Sequence, residues 1–324
     1  MNPQRLLVGD IGGTHCRLAL AHGGSPGEAV TLLRSARFRN AEHRNLASIV
    51  RTFLADTPPP RIACLAVAGP TDGQRVQFTN LDWQLDATQL ARDCSLGRLT
   101  FINDFSAVGW GLNTLRAEDC LTLQTGTPDP HGIKAAIGAG TGLGVSLCVP
   151  QGDWHRPLPS EGGHIGFAPV DAEQDRLLLS LRTEFGRVSM ERLVSGPGLE
   201  ALYRFARQDQ GWPAQTLPAA AISAAGFAET DPAAVQALRL FVTLYGQVAG
   251  DIALVGRTQG GVYLAGGIAP QLQPLFTAPH FLASFRNKGR FSAWMHSVPV
   301  HLVLDPDIGL KGAAVAALVT RPAV

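Results

Sequence analysis

Two glycine turns, each set between apolar runs of strand length, constrain this chain more than any other feature. The first lies in "LVGDIGGTHCRLAL", residues 7 to 20, where Gly12, Gly13 and Thr14 separate the runs and Asp10 stands just ahead of the break. The second lies in "KAAIGAGTGLGVSLCV", residues 134 to 149. Glycine tolerates positive φ at little steric cost, so glycines between β-prone runs predict a hairpin. Two hairpins of one plan, about 130 residues apart, predict duplicated halves and hence two lobes rather than a tandem array. At 324 residues the chain has length for two domains with substantial cores, although one large α/β domain also fits.

Backbone N–H groups free of side chains can also approach a phosphate closely, while a nearby acid attends to a metal or its waters. At the first turn the two readings stand side by side, with Asp10 either a turn residue or a residue of a phosphate site. The second turn, "GAGTGLG", carries Gly138, Gly140, Thr141, Gly142 and Gly144. It is neither a Walker A loop nor the G-x-G-x-x-G of a dinucleotide site. Four glycines around one threonine exceed what a minimal turn needs and favour a phosphate cradle, to which Thr141 adds a hydroxyl donor.

Between the turns, "NLASIVRTFLADTPPP" spaces Leu46, Ile49, Val50 and Phe53 as a helix that stops at the prolines. "RIACLAVAGP" and "LTFINDFSAVGW" each open with an apolar run of strand length. Strand, helix and strand predict an α/β unit with a covered sheet. Further on, "EQDRLLLSLRTEFG" and "SMERLV" predict helices around Gly186, and "WPAQTLPAA" a loop before another helical region. "AVQALRLFVTLYGQVAGDIALV" predicts a long core helix. "GGVYLAGGI" predicts a strand running into Gly266 and Gly267, and "GLKGAAVAALV" a small-residue helix packed closely on a neighbour. No linker or low-complexity tract separates the halves.

Composition narrows the function classes. Hydrophobic residues at 45%, with Gly 36 and Pro 22, indicate a globular chain rich in turns. A formal net charge of +1 offers no broad basic field for nucleic acid, so an anionic ligand must be held locally. The opening "MNPQRLLVGD" lacks a signal peptide's apolar segment, and no uninterrupted apolar run reaches about 18 residues, which predicts a cytoplasmic chain without a membrane span. Cys16, Cys64, Cys94, Cys120 and Cys148 are scattered and odd in number, which predicts reduced packing residues. His131, His155 and His164 lack a neighbouring Cys cluster, which argues against a structural zinc.

Three further segments carry chemistry. In "FINDFSAVGW", Asn103 and Asp104 directly follow a strand, where α/β proteins place ligand residues. Asn and Asp are equally the preferred helix N-caps. An ordinary aspartate, with a pKa of about 3.9, is ionised at neutral pH and can act as a base. In "PSEGGHIGF", Glu161 and His164 flank Gly162 and Gly163, offering the mixed donors and acceptors that a polyhydroxylated ligand needs. A satisfied structural histidine is the competing reading there. Glu191 in "VSMERLV" reads by spacing as a solvated helix residue.

Taken together, "LVGDIGGT", "FINDF", "GAGTGLG", "EGGHIGFAP", "SGPGL", "VYLAGGI" and "KGRF", in that order over nearly the full chain, resemble bacterial glucokinases of the non-zinc type. The resemblance implies an α/β, two-lobed, ribonuclease-H-like fold of the actin and hexokinase kind with an interlobe cleft. It implies a small domain over 1–114, completed by a C-terminal helix over about 305–324, and a large domain over 115–304. It implies ATP-dependent phosphorylation of D-glucose at its 6-hydroxyl, in glycolysis, by a cytoplasmic homodimer using Mg²⁺.

Carried over by motif, Asp104 is the catalytic base, and Asn103, Asp104, Glu161, His164 and Glu191 bind the sugar. Glu191 enters by this route only. Asp10, Gly12, Gly13 and Thr14, with Gly140, Thr141 and Gly142, correspond to the phosphate loops, and Gly266 and Gly267 to the adenosine-side turn. Asp10 would reach Mg²⁺ through water. His15 and Cys16 stand where the family often has Asn and Ala, which puts polar contacts beyond Thr14 in question. The clustered cysteines of the zinc-containing sugar kinase and repressor group are absent, and no stretch ahead of the first strand is long enough for a helix-turn-helix. A non-catalytic sugar-responsive protein, or a phosphatase or ATPase of the same fold, would share these carboxylates and turns.

Overall fold

The computed structural model describes residues 4–23, 29–77, 83–213 and 215–319. The chain divides into two compact units, one of Met1–Ala117, Cys148–Pro159 and Asp305–Val324, the other of Glu118–Leu147 and Ser160–Leu304. The division that the resemblance implies, 1–114 with about 305–324 against 115–304, differs at residues 115–117 and in the segment Cys148–Pro159. That segment joins the first unit because Trp154 stacks on Trp110, with ring centroids 5.4 Å apart, and Asn113 exchanges two hydrogen bonds with the His155 backbone. Residues 320–324 of the expected C-terminal helix lie outside the described residues.

In the first unit, β1 (Gln4–Ile11) and β2 (His15–Gly23) form the hairpin expected from the first turn, with Ile11 opposite Cys16. β3 (Thr31–Arg39) adds an antiparallel edge. Then come α1 (Leu46–Leu54), β4 (Ile62–Val67), a ribbon of β5 (Arg75–Gln77) and β6 (Gln84–Asp86), α2 (Ala87–Asp93), β7 (Arg98–Asn103) and α3 (Asp104–Gly111). The sheet order is β3-β2-β1-β4-β7, with β1, β4 and β7 parallel. Leu7 and Ile11 pack with α1 and α2 on one face, while Leu6 and Val8 pack with α3 and the C-terminal helix Ile308–Val319 on the other. Burial on both faces explains why these strands read as unbroken apolar runs. The C-terminal helix is the small-residue helix expected. A Cβ on Gly312 would stand 1.8 Å from the Ala107 carbonyl oxygen of α3, so only glycine permits that approach.

In the second unit, β8 (Cys120–Gln124), β9 (Lys134–Ala139) and β10 (Leu143–Gln151) precede β11 (Trp154–Leu158), the strand that pairs with the end of β10 in the first unit. Next come α4 (Ala172–Phe185), α5 (Gly196–Asp209), α6 (Ala219–Phe227), α7 (Pro232–Gly256), β12 (Gly261–Ala265) and β13 (Val300–Val303). The order β10-β9-β12-β13-β8 has β9, β12 and β13 parallel. A hairpin beside parallel strands thus occurs in both units. "SMERLV" is not a helix. It holds one 3₁₀ turn, Met190–Arg192, because the Met190 N–H is drawn to the Ile165 carbonyl at 2.9 Å and Ser195 already caps α5.

α7 is the long core helix expected. By length and composition it could cross a membrane, but 72% of its most apolar stretch is buried inside the protein, as befits a core helix. Its Tyr245 hydroxyl donates to the Ile137 carbonyl and accepts from the Ala139 N–H, each at 3.2 Å, fixing the helix to the end of β9. Lys288, from "KGRF", reaches the same helix. Its buried amine donates to the Gln247 carbonyl at 3.0 Å and pairs with Asp251 at 2.7 Å. Lys288→Met removes these charge-assisted bonds and is expected to cost about 1–3 kcal/mol. Chemical denaturation would measure this; an unchanged midpoint would mean that the pairing contributes nothing.

Candidate active site

The first unit gathers its polar residues at the carboxyl ends of its parallel strands. Ile11, Val67 and Asn103 are successive partners across β1, β4 and β7, so the parallel strands end in one row. The first glycine turn leaves β1 there, and Asn103 and Asp104 leave β7, two strands away or roughly 10 Å. Asn103 caps α3: its Oδ1 accepts from Phe105 N–H and Ser106 N–H, both at 3.0 Å. Its amide Nδ2 donates to Asp104 Oδ1 at 2.9 Å, and Phe105 N–H donates to that same oxygen at 2.9 Å. Capping is therefore real, and it also orients the aspartate. Fixing one carboxylate oxygen with two donors limits rotation of the group.

Asp10 keeps solvent access at its strand end. The protein crowded around it disfavours its charge and raises its carboxyl pKa, an effect opposed by the charge of Arg17 on the opposing strand. Arg17 in turn pairs with Asp307 and donates to the Pro306 carbonyl. In the turn, Gly13 and Thr14 are exposed. Cys16 is a packing residue: it is buried in the core, and burial first, Asp10 second, push its thiol up to about 12. Burial likewise raises Cys64 to about 12 and Cys94 to about 11, so none of the three offers a thiolate at neutral pH.

The second unit brings a second set together. Gly138 of β9 pairs with Ala265 of β12, so the turn at Gly140, Thr141 and Gly142 and that at Gly266 and Gly267 leave adjacent parallel strands. Gly266 has φ +84. Gly140 N–H donates to the Gly142 carbonyl, and Gly196 N–H to the Gly140 carbonyl, each at 2.8 Å. Glu191, isolated by sequence spacing, lies directly against this turn: its Oε2 accepts from Leu143 N–H at 3.0 Å. Its Oε1 lies 3.8 Å from His164 Nδ1, and His164 Nε2 lies 3.9 Å from Glu161 Oε2. These separations exceed hydrogen-bond length, leaving the three polar groups with spare capacity. Arg187, which no local sequence signal marks, donates to the His164 carbonyl at 2.8 Å.

An open groove of about 800 Å³ beside β5 and β6, lined by Thr71, Asp72, Arg75 and Asp86 among others, contains none of the expected site residues. Among the described residues, no group of three or more His, Cys, Asp or Glu side chains is placed to hold a metal.

Together these features define a mixed α/β protein with carboxylates and glycine turns at the carboxyl ends of parallel strands. The Glucokinase family model matches residues 7–320. A glucokinase from Nostoc punctiforme is 38% identical over 336 aligned positions, covering 96% of this chain and 98% of that protein. The crystal structure of a glucokinase from an Antarctic psychrotroph matches with TM-score 0.88 and 33% identity, over 98% of this chain and 99% of that one. A Balamuthia mandrillaris glucokinase solved with glucose shares the fold, with TM-score 0.79 at 23% identity over 98% and 94% of the two chains. The chain belongs to the glucokinase family.

Proposed function

We propose that this protein transfers the γ-phosphoryl group of ATP to the 6-hydroxyl of D-glucose, giving glucose 6-phosphate and ADP. Membership of the glucokinase family supports the overall reaction. The observation that carries the mechanism is the Asp104 carboxylate, held at a strand end by Asn103 Nδ2 and Phe105 N–H. In this reading Asp104 takes the proton from the sugar hydroxyl as that oxygen meets the γ-phosphorus, while positioning does most of the remaining work. Asn103, Glu161, His164 and Glu191 hold the sugar hydroxyls. The first turn, from Gly12 to Thr14 with Asp10 beside it, and the second, from Gly140 to Gly142, receive phosphates, and Gly266 with Gly267 lies on the adenosine side.

The residues fit Mg²⁺ in the manner usual for that ion, which keeps several waters and takes one or two carboxylates plus substrate phosphates. Asp10, an exposed residue at the strand end beside the first turn, would hold it through water. When bound, Mg²⁺ neutralises charge on the β- and γ-phosphate oxygens. The reading includes the two-lobed hexokinase and actin-like arrangement, with the first unit as the small lobe and the second as the large. It also includes a cytoplasmic homodimer that engages neither nucleic acid nor membrane. The lobed arrangement and the homodimer rest on the family resemblance, and the exclusion of nucleic acid on the formal net charge of +1.

Glu161→Ala tests the sugar assignment. Loss of a charged acceptor is expected to raise the KM for glucose about 10- to 100-fold, with little change in that for ATP. Steady-state kinetics with each substrate varied would check it. An unchanged glucose response would remove Glu161 from the site.

A further inference from the structure

We infer that Asn40 is a positioning residue for the phosphoryl donor, acting through the first glycine turn. The inference rests on the reading of that turn as a phosphate site and extends it to a side chain that carries no ligand role of its own. Asn40 opens the 3₁₀ turn Asn40–Glu42 just after β3 and is 3% exposed. Its amide Nδ2 donates to the Gly12 carbonyl at 2.8 Å and to the Gly13 carbonyl at 3.1 Å, and its backbone N–H donates to the Thr14 carbonyl at 3.0 Å. One residue thus gathers three successive carbonyls of the turn.

The consequence follows from peptide geometry. In a planar trans peptide the C=O of one residue and the N–H of the next point in opposite directions. Drawing the carbonyls of Gly12, Gly13 and Thr14 toward Asn40 turns the N–H groups of Gly13, Thr14 and His15 away from it. Successive N–H groups facing one side form an anion-binding concavity. Gly13 and Thr14 are exposed, so that side is open to a ligand.

The unused end of the side chain supports the same conclusion. Asn40 Oδ1 is buried and has no hydrogen-bond partner among the described residues. A buried unpaired amide oxygen is unfavourable, and a smaller apolar residue would avoid it. Retaining asparagine makes physical sense if the two donated bonds do more than pack the site. Holding the turn in its anion-ready shape before the donor arrives is such a role, because it removes an ordering cost from binding.

The test compares Asn40→Ala, Asn40→Leu and Thr14→Ala with the unmodified protein, measuring KM for MgATP, KM for glucose, kcat and thermal midpoint. Asn40→Ala is expected to raise the KM for MgATP about tenfold while leaving that for glucose near its starting value. Asn40→Leu nearly keeps the side-chain volume but removes both donors. It is expected to give the same ATP-selective loss and serves if the alanine variant fails to fold. An unchanged KM for MgATP in the folded variants would overturn the inference, as would equal rises for both substrates tracking a lowered thermal midpoint. Thr14→Ala separates this from the parent reading: if it too leaves ATP use unchanged, the turn is not the phosphate site; if it weakens ATP use while the Asn40 variants do not, only the role of Asn40 falls.

Discussion

Asp104→Asn is expected to lower turnover by at least roughly 10²- to 10⁴-fold, the usual contribution of a general base. The loss would be larger if the carboxylate also orients the sugar hydroxyl. The substitution is close to isosteric, and its amide oxygen can still accept from Asn103 Nδ2 and Phe105 N–H, the two donors that hold Asp104 Oδ1. The cap on α3 belongs to Asn103 and is untouched. The variant should therefore fold and retain measurable glucose binding by calorimetry, which separates lost proton transfer from lost structure. Near-normal turnover in a folded variant would reject Asp104 as the base.

Gly163→Ala is expected to damage the sugar loop severely. The added methyl would stand 1.9 Å from the Leu143 carbonyl oxygen and 2.9 Å from its carbon, both backbone atoms that cannot rotate aside. Leu143 is also the residue whose N–H holds Glu191, and Gly163 lies in the turn between Glu161 and His164. Relieving the overlap must move one of these segments. Overpacking of this kind costs about 1–3 kcal/mol or more, and a displacement of about 1 Å can cost on the order of 10²-fold in rate. We expect the thermal midpoint to fall by about 2–10 °C, with a loss of glucose-dependent activity larger than the stability change alone explains. A variant with the starting midpoint and glucose KM would show that the loop tolerates the methyl group and does not shape the site.

The readability of this chain follows the physics of its elements. β1, β4, β7 and β9 are buried on both faces, so their apolar runs announced them, and α7 carried enough helical periodicity to be bounded closely. β3 has no such signature because it is an edge strand: Arg34, Arg37 and Arg39 break the apolar pattern, and its outer side chains face solvent. The 3₁₀ turn at Met190–Arg192 has the composition of a helix, and nothing local marks the Ile165 carbonyl that captures Met190 N–H.

The site shows the same division. Glycines around a threonine at a strand end are legible because a side-chain-free turn has a local signature. Glu191 is not, since its partner Leu143 lies 48 residues away in sequence and only the fold joins them. Asn40 gave no local sign either: its amide serves carbonyls 28 and 27 residues upstream. Asn103 posed a choice between helix cap and ligand that the sequence left open. In the structure its oxygen caps the helix and its nitrogen holds Asp104, so the cap itself presents the aspartate.

The proposed role of Asp104, at the start of α3, is that of the base in phosphoryl transfer to a hexose. It is tested most directly by incubating the purified protein with MgATP and each of several hexoses, following ADP release and identifying the sugar product. The expected result is ADP formation that requires glucose and yields one glucose 6-phosphate for each ADP, with both lost in Asp104→Asn. ADP release without sugar phosphate, or sugar binding with no ADP at all, would contradict it.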